Sequence, residues 1–571
     1  MRPALPLAAT VLLAATVLLI PSTAAAQDAE PTVTHHVIDG EGGAPIYATL
    51  FLPPGASAAD PVPVILRSHG WGGRGENSLD GLSSTSEKLL DAGYALFTWD
   101  ERGFGWSGGE VHILKPDLEG VDATLLLDWM VANVAEIARD GDDPIVGMTG
   151  GSYGGGIQTL LSSLDPRVDA VVPEITWYDL RYSLYHNQVI NLGWGQLLYA
   201  AGLAAAQSDG MNPESPTYPQ EGAYAQEIHE AQVFGDTTNQ FPDDIVDFFG
   251  GSSIAVYQDD VGGLQAPALF LQGSVDTLFD LTEAAWLYEH AQAQGLETRY
   301  VVFCGGHVSC PSSYETPSTP DREFLDQAIL DWFAKHLLGE DVDTGAPVTY
   351  RTNLRGWTDV DAFPPSDATM VSADVEGSVV NPGSPSQESE PEGIPGTTAA
   401  PSEEGDPRMV STEVFVADGG AVDLVGVPEA TVTVEGQGVV HLFFKLVDRE
   451  AGEVVNLQET PLRVDFSADG SPQEFSFPLS GVAYTVAEGH HLDLQVATNS
   501  LMHTTSRLPG EATVTATVEV PVVLSASTGT PDQTDPAPDD AGGEQMPDTG
   551  GGLVLLAVPA LAVAMLLRRR P

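Results

Sequence analysis

The chain is predicted to fold as a largely parallel α/β sheet with an inserted helical cap, followed by an all-β domain. Three observations carry that expectation. Apolar runs of five or six residues alternate with helical stretches through the first 340 residues, the pacing of strands buried on both faces and joined by crossover helices. One run, starting at Ile145, leads into Gly150-Gly151-Ser152-Tyr153-Gly154 and then directly into a helical stretch, so a glycine-flanked serine sits where strand and helix pass closely. From about residue 346 the helical period gives way to short β-rich pieces separated by acidic, proline-rich tracts such as Pro382 to Pro407, the pattern of a sandwich or jelly roll.

The elements follow in order. Alternation in His36-Val37-Ile38 and Tyr47-Ala48-Thr49-Leu50-Phe51 predicts an antiparallel hairpin between Thr34 and Pro53, at the edge of the sheet. Val62 to Leu66 is a continuous strand, and Arg67-Ser68-His69-Gly70-Trp71-Gly72-Gly73 is the loop after it. A helix from about Thr85 to Ala92 returns to the strand Tyr94 to Trp99, and a glycine-rich turn spans Asp100 to Gly109. Asp117 is placed to cap a helix whose apolar positions include Val121, Leu125, Trp129 and Ala132. Beyond the serine strand, Val168 to Pro173 supplies another strand. The rhythm then breaks into an aromatic-rich helical insertion, the cap at about 176–258, which lines the substrate cleft if it lies over the C-terminal edge of the sheet. Strands resume at Ala268 to Gly273 and Tyr300 to Phe303, and a helix from about Arg322 to Leu338 closes a first domain at 31–340. The second domain, 346–524, is expected to place strands at Val439 to Val447, Leu462 to Phe466, Phe475 to Leu479, His490 to Ala497 and Thr513 to Val523.

Composition narrows the function. With 571 residues and 42% apolar content the chain can fill two or three cores, while 22 Lys and Arg against 81 Asp and Glu leave a formal charge of −59. Such a surface repels phosphate backbones and anionic headgroups, so no nucleic-acid partner is expected. The acidity reads as a solvated coat. Both ends carry addressing signals. Arg2, the apolar run from Leu5 to Ile20 and Ala24-Ala25-Ala26 form a signal peptide over 1–26. A polar Ser/Thr/Pro/Asp spacer at 525–545 leads to Met546-Pro547-Asp548-Thr549-Gly550, an apolar run from Leu553 to Leu567 and Arg568-Arg569-Arg570. The segment 546–571 looks like a sortase sorting signal with methionine where leucine is usual, to be cut between Thr549 and Gly550 and passed to a cell-wall peptide. The competing expectation is a C-terminal membrane anchor, although 553–567 is shorter than the ~20 residues a spanning helix needs. Either way the folded body is expected to face the outside.

A serine hydroxyl is a weak nucleophile until a base takes its proton and a carboxylate orients that base. Downstream of Ser152, Asp276 follows one predicted strand in Gly273-Ser274-Val275-Asp276, and His307 follows the next in Gly305-Gly306-His307. Asp280 is the alternative carboxylate. His69 is a weaker candidate for the base because it precedes the serine and lies in the loop that would hold an oxyanion. Oxyanion donors are expected from the backbone N–H groups of Tyr153 and Trp71, each contributing about 3 kcal/mol to a transition state. Cys304 and Cys310 are the only cysteines and flank His307; in an exported protein they are expected to form a disulfide. No metal or cofactor is expected, since His229-Glu230 lacks the second histidine of a zinc helix.

With these residues in place, the chain resembles serine hydrolases of the Xaa-Pro dipeptidyl-peptidase and cocaine-esterase type. The features that carry the resemblance are Gly150-Gly151-Ser152-Tyr153-Gly154, the Asp100-x-Arg102-Gly103-x-Gly105-x-Ser107-x-Gly109 turn, the helical cap, Asp276, His307, and the β pieces Phe444-Lys445-Leu446-Val447-Asp448 and Gly489-His490-His491-Leu492. The resemblance implies an α/β-hydrolase sheet with a C-terminal jelly roll and a Ser152, Asp276, His307 triad. It also implies cleavage of a peptide amide or small ester through an acyl-enzyme. Relatives commonly offer a tyrosine hydroxyl at the oxyanion loop, whereas this chain has His69-Gly70-Trp71. A dipeptidyl-peptidase further needs a carboxylate for the free amine, for which Glu174 and Asp179 are near in sequence. The rival expectation is a wall-displayed binding protein whose first domain is inert.

Overall fold

A strand that is apolar at every position sends alternate side chains to opposite sides and must be covered on both. The computed structural model meets this demand with two cores on one sheet. It describes residues 30–209, 223–314, 318–383, 398–466 and 471–524. The segments expected to be a signal peptide, a spacer and a sorting signal with Thr549 and Gly550 lie outside the described residues. Among the described residues no helix is long and apolar enough to cross a membrane.

The sheet comprises β1 (Thr32–Asp39), β2 (Pro45–Leu52), β3 (Val64–Arg67), β4 (Ala95–Trp99), β5 (Val146–Gly151), β6 (Ala170–Glu174), β7 (Ala268–Gly273), β8 (Thr298–Phe303), β9 (Val348–Tyr350) and β10 (Thr358–Val360). Its order is β1-β2-β4-β3-β5-β6-β7-β8-β9-β10. The run from β4 to β9 is parallel, and the two ends are antiparallel. Alternation divides each central strand between the cores: Val64 and Leu66 face one side and Ile65 the other, as do Phe270 and Leu269. Helices α1 (Ser84–Asp91), α2 (Glu119–Asn133) and α3 (Tyr153–Leu164) are followed by the cap helices α4 (Leu180–Tyr185), α5 (Leu192–Asp209), α6 (Gln226–Thr238), α7 (Asp243–Gly250) and α8 (Ile254–Val261), then by α9 (Leu281–Ala293) and α10 (Ser318–Leu338). α1 and α10 cover one face through Leu89, Leu325, Ile329 and Phe333. α2, α3 and α9 cover the other through Leu127, Ile157 and Leu287.

Three sequence expectations need correction. The sheet does not stop at residue 340, because β9 and β10, three residues each, extend it; strands so short show no alternation to read. Asp117 does not cap α2. The helix has Leu118 at its N-cap with no side-chain bond, and the Glu119 carboxylate instead accepts the N–H groups of His112 and Lys115 at 2.7 and 2.9 Å. In the β domain, the strand expected at Val439 to Val447 is the second half of a 20-residue strand, Glu429–Asp448. That strand crosses between two antiparallel layers, pairing with Gln473–Pro478 and Gly510–Leu524 in its first half and with Thr460–Asp465 and His491–Ala497 in its second. Gly436 and Gly438 mark the crossing, where a Cβ on Gly436 would stand 2.1 Å from the Glu511 carbonyl oxygen; glycine in mid-run reads in sequence as a strand end.

Candidate active site

At the end of β5 the chain turns so sharply into α3 that Ser152 adopts φ 57° and ψ −118°, outside the usual regions for a residue with a Cβ. The turn fits because its neighbours are bare: a Cβ on Gly154 would stand 2.4 Å from the Ser68 carbonyl oxygen, and one on Gly155 2.7 Å from the Thr176 Cβ. The Ser152 backbone is pinned on both sides, its N–H donating to the Glu174 carbonyl at 2.9 Å and its carbonyl accepting the Thr176 hydroxyl at 3.0 Å.

The structure brings the three residues singled out from the sequence together. The Ser152 Oγ lies 2.8 Å from the His307 Nε2, and the His307 Nδ1 lies 2.8 Å from the Asp276 Oδ2. With the ring proton on Nδ1 directed at the carboxylate, Nε2 is left to accept the serine proton. Asp276 is wholly buried, and its carboxylate is fixed by further donors: the N–H groups of Leu278 and Phe279 at 3.0 and 3.1 Å on Oδ1, and that of His307 at 3.1 Å on Oδ2. Asp280 is the cap of α9, accepting from the Thr282 N–H at 2.9 Å, and its other oxygen takes the Tyr182 hydroxyl. It does not reach His307. Cys304 and Cys310 are joined, so a covalent link closes the loop that carries His307. Phe279 and Trp194 pack edge-on to the imidazole, with centroids 5.2 and 5.7 Å away. Trp194 belongs to the aromatic run of the cap, but nothing in its spacing separates it from the tryptophans and tyrosines that only fill the core.

His69 is excluded as the base by its bonds. It is buried; its Nδ1–H donates to the Gly70 carbonyl and its Nε2 accepts the Glu101 N–H at 2.9 Å. Burial first, and the Arg74 charge less strongly, push its pKa down to about 4 against the Gly70 bond. The glycine-rich turn from Asp100 thus acts as a brace for the loop before the serine. Asp100 accepts the Gly75 N–H at 2.6 Å, and the Glu101 carboxyl accepts the Ser68 hydroxyl at 2.5 Å. Trp71 and Tyr153 from this loop and from α3 line one cavity with Ser152. Tyr153 opens α3, so its N–H has no acceptor within the helix.

Glu101 gives a pH prediction. Burial, aided by the charges of Glu119 and Asp122 and opposed by the Ser68 hydroxyl, pushes its carboxyl from 4.5 up to about 8. Between those values the folded protein keeps a proton that the unfolded chain has lost, so stability falls as pH rises from about 4.5 to 8. Glu101→Gln keeps the shape and removes the proton, and it should flatten that part of the fall in Tm between pH 5 and 8.5. An unchanged slope would mean that Glu101 is already ionised in the folded protein.

The cavity beside Ser152 lies under the cap and comprises about 930 Å³, open solvent at its mouth included. Its wall is mostly apolar, built from Trp177, Leu180, Leu184, Ile190, Phe241 and Phe279 among others. Neither carboxylate considered for a free amine is available to it. Glu174 is paired with Arg322 at 3.0 Å, while Asp179 caps α4 and is paired with Arg181 at 2.6 Å. The buried Glu283 of α9 is used up by the cap's Tyr178 and Asp179 N–H groups and Ser183 hydroxyl. Among the described residues Asp236 supplies the carboxylate on the wall, and it is exposed and accepts the Gln232 amide at 3.0 Å. A separate group, Asp448, Glu450 and His490, has ligand-type atoms within 4.8 Å of one another. It lies in the β domain, with His490 bonded to Asp448 at 2.8 Å and Glu450 to His491 at 2.9 Å.

Residues 41–309 match the family model described as X-Pro dipeptidyl-peptidase, S15 family. Two Escherichia coli proteins, each described as an uncharacterized 31.7 kDa protein in the traX-finO intergenic region, are 32% identical to this chain over 117 residues. The match covers 20% of this chain and spans 38% of the length of those relatives. The fold is shared over a far greater length with three solved structures. An aminopeptidase from a marine sediment Thaumarchaeota archaeon is 14% identical with a TM-score of 0.65, covering 90% of this chain and 99% of its own. An α-amino acid ester hydrolase is 15% identical with a TM-score of 0.61, covering 88% and 98%. A CocE/NonD family hydrolase from Staphylococcus aureus is 14% identical with a TM-score of 0.59, also covering 88% and 98%. This chain shares with them a mixed α/β sheet with helices followed by an antiparallel β domain.

Proposed function

We propose that this protein is an exported, surface-displayed hydrolase that removes uncharged apolar acyl groups from esters or amides through an acyl-enzyme on Ser152. His307 takes the serine proton as Oγ attacks the carbonyl carbon and returns it to the leaving oxygen or nitrogen as that bond breaks; water then repeats the cycle in reverse roles. Asp276 holds the imidazole in the productive tautomer. The N–H groups of Tyr153 and Trp71 receive the oxyanion. Export and display rest on the apolar start at Leu5 to Ile20 and the Met546 to Gly550 signal with its basic tail, where sortase and a cell-wall peptide are the partners.

The observation that carries the substrate class is the apolar wall beside Ser152, with Glu174 and Asp179 already paired to arginines. An ammonium group placed there would lose its water without gaining a counter-charge, which costs several kcal/mol. The test uses two p-nitrophenyl esters that differ only by that group, butanoyl and 2-aminobutanoyl. We expect kcat/KM to favour butanoyl by about 10-fold or more, with fluorophosphonate labelling of the wild type at Ser152. A preference for the aminoacyl ester that disappears in Asp236→Asn would instead place a free amine at the cavity mouth, the dipeptidyl-peptidase arrangement that the family model suggests. Absence of labelling would favour an inert binding protein.

A further inference from the structure

The loop that carries Asp276 is a junction of all three parts of the molecule. The Asp276 side chain and N–H are held from within the α/β domain, the N–H donating to the Gly273 carbonyl at 3.3 Å, but its carbonyl is not. The Gln458 side-chain amide, from the β domain, donates to the Asp276 carbonyl oxygen at 2.5 Å, and both residues are buried. The preceding residue, Val275, is fully buried and packs into the hydrophobic core of the β domain with Leu479, Val482 and Tyr484. A few residues on, the Gly481 N–H donates to the Thr282 hydroxyl at 2.9 Å. The cap holds the residue between, since the Trp194 indole N–H reaches the Thr277 hydroxyl at 3.1 Å. Cys304 and Tyr314, on either side of the His307 loop, belong to the same β-domain core.

We propose that Gln458 is a positioning residue for hydrolysis, aiming the Asp276 carboxylate at His307 from a separate domain through the Asp276 peptide group. This rests on the hydrolase reading above. The direction of a carbonyl fixes the peptide plane between residues 276 and 277, and with it the backbone angles that set where the Asp276 Cα–Cβ bond points. A buried carbonyl without a donor does not stay put; the peptide turns toward whatever partner it can find. A small rotation at that point moves the carboxylate relative to an imidazole whose own loop is closed by the Cys304–Cys310 link.

The experiment is a double-mutant cycle on the full-length protein with a p-nitrophenyl ester. Gln458→Met keeps the volume and removes the donor. We expect kcat to fall by about 10-fold or more with KM within about 2-fold, and the acid limb of the kcat/KM pH profile to move. In an Asp276→Asn background the same change should cost less than about 3-fold, because the route through the carboxylate is already broken. Equal losses in both backgrounds, or a wild-type kcat in Gln458→Met, overturn the proposal. Should Gln458→Met fail to fold, Gln458→Ser, which leaves room for a water at the same carbonyl, carries the cycle. A wild type that neither labels with fluorophosphonate nor turns over any ester defeats the hydrolase reading, whereas an active wild type with a fully active Gln458→Met defeats this one alone.

Discussion

Ser152→Ala should lower kcat/KM for a p-nitrophenyl ester by roughly 10⁵-fold while leaving Tm within a few degrees of the wild type. Alanine keeps the Cβ that already tolerates φ 57° at this turn, so the strain of the turn is unchanged. The hydroxyl lost makes its 2.8 Å contact with His307. The backbone bonds that hold the turn, from the Ser152 N–H to Glu174 and from Thr176 to the Ser152 carbonyl, do not involve it. The residual rate would come from binding and from the oxyanion donors. Steady-state turnover, checked against active-site titration to exclude traces of wild type, measures the loss. Turnover within 10-fold of wild type would mean that another group attacks the carbonyl.

The second large effect is at Asp276. Asp276→Asn should cost about 10⁴-fold in kcat with little change in KM. The substitution preserves shape but exchanges one acceptor oxygen for an NH₂ group in a pocket surrounded by donors. Asp276 accepts the N–H groups of Leu278, Phe279 and His307 as well as the imidazole Nδ1–H. Once its acceptor is committed to the Leu278 and Phe279 pair, the amide turns a donor toward Nδ1. The imidazole proton then moves to Nε2, which can no longer accept from Ser152. Asp280→Asn offers a control in the same loop. Because Asp280 caps α9 and accepts the Tyr182 hydroxyl, its loss should lower Tm and leave kcat within about 10-fold. The reverse ranking of the two variants would assign the orienting carboxylate to Asp280.

The site was legible in the sequence where its chemistry requires particular residue types at strand ends. A glycine-flanked serine after an apolar strand, a carboxylate after a later strand and a histidine after the next need no three-dimensional knowledge beyond the order of a parallel sheet. Cysteines flanking His307 were legible for the same reason. What escaped is what depends on distant contacts. Gln458 lies 182 residues from the carbonyl it holds, and no local pattern marks a glutamine that bonds to another domain. The bond from Ser68 to Glu101 joins two loops whose adjacency follows only once β3 and β4 are known to be neighbours. Asp117 misled because it looks like a helix cap, whereas α2 starts without a side-chain cap and the carboxylate of Glu119 instead holds the loop before it at His112 and Lys115. Glu174 and Asp179 misled differently: sequence proximity to the serine strand says nothing of the arginines, Arg322 and Arg181, that neutralise them.

The extension of the sheet through β9 and β10 bears on how the molecule can be divided. These strands come from the segment that leads to the β domain, yet β9 pairs with β8 over Tyr300, Val301 and Val302. A cut after residue 340, the place where composition suggests a seam, would strip that cover and leave the backbone of a central apolar strand bare for pairing with other chains. The half so released would aggregate rather than report on catalysis, and separable pieces of this protein are not to be sought at that junction.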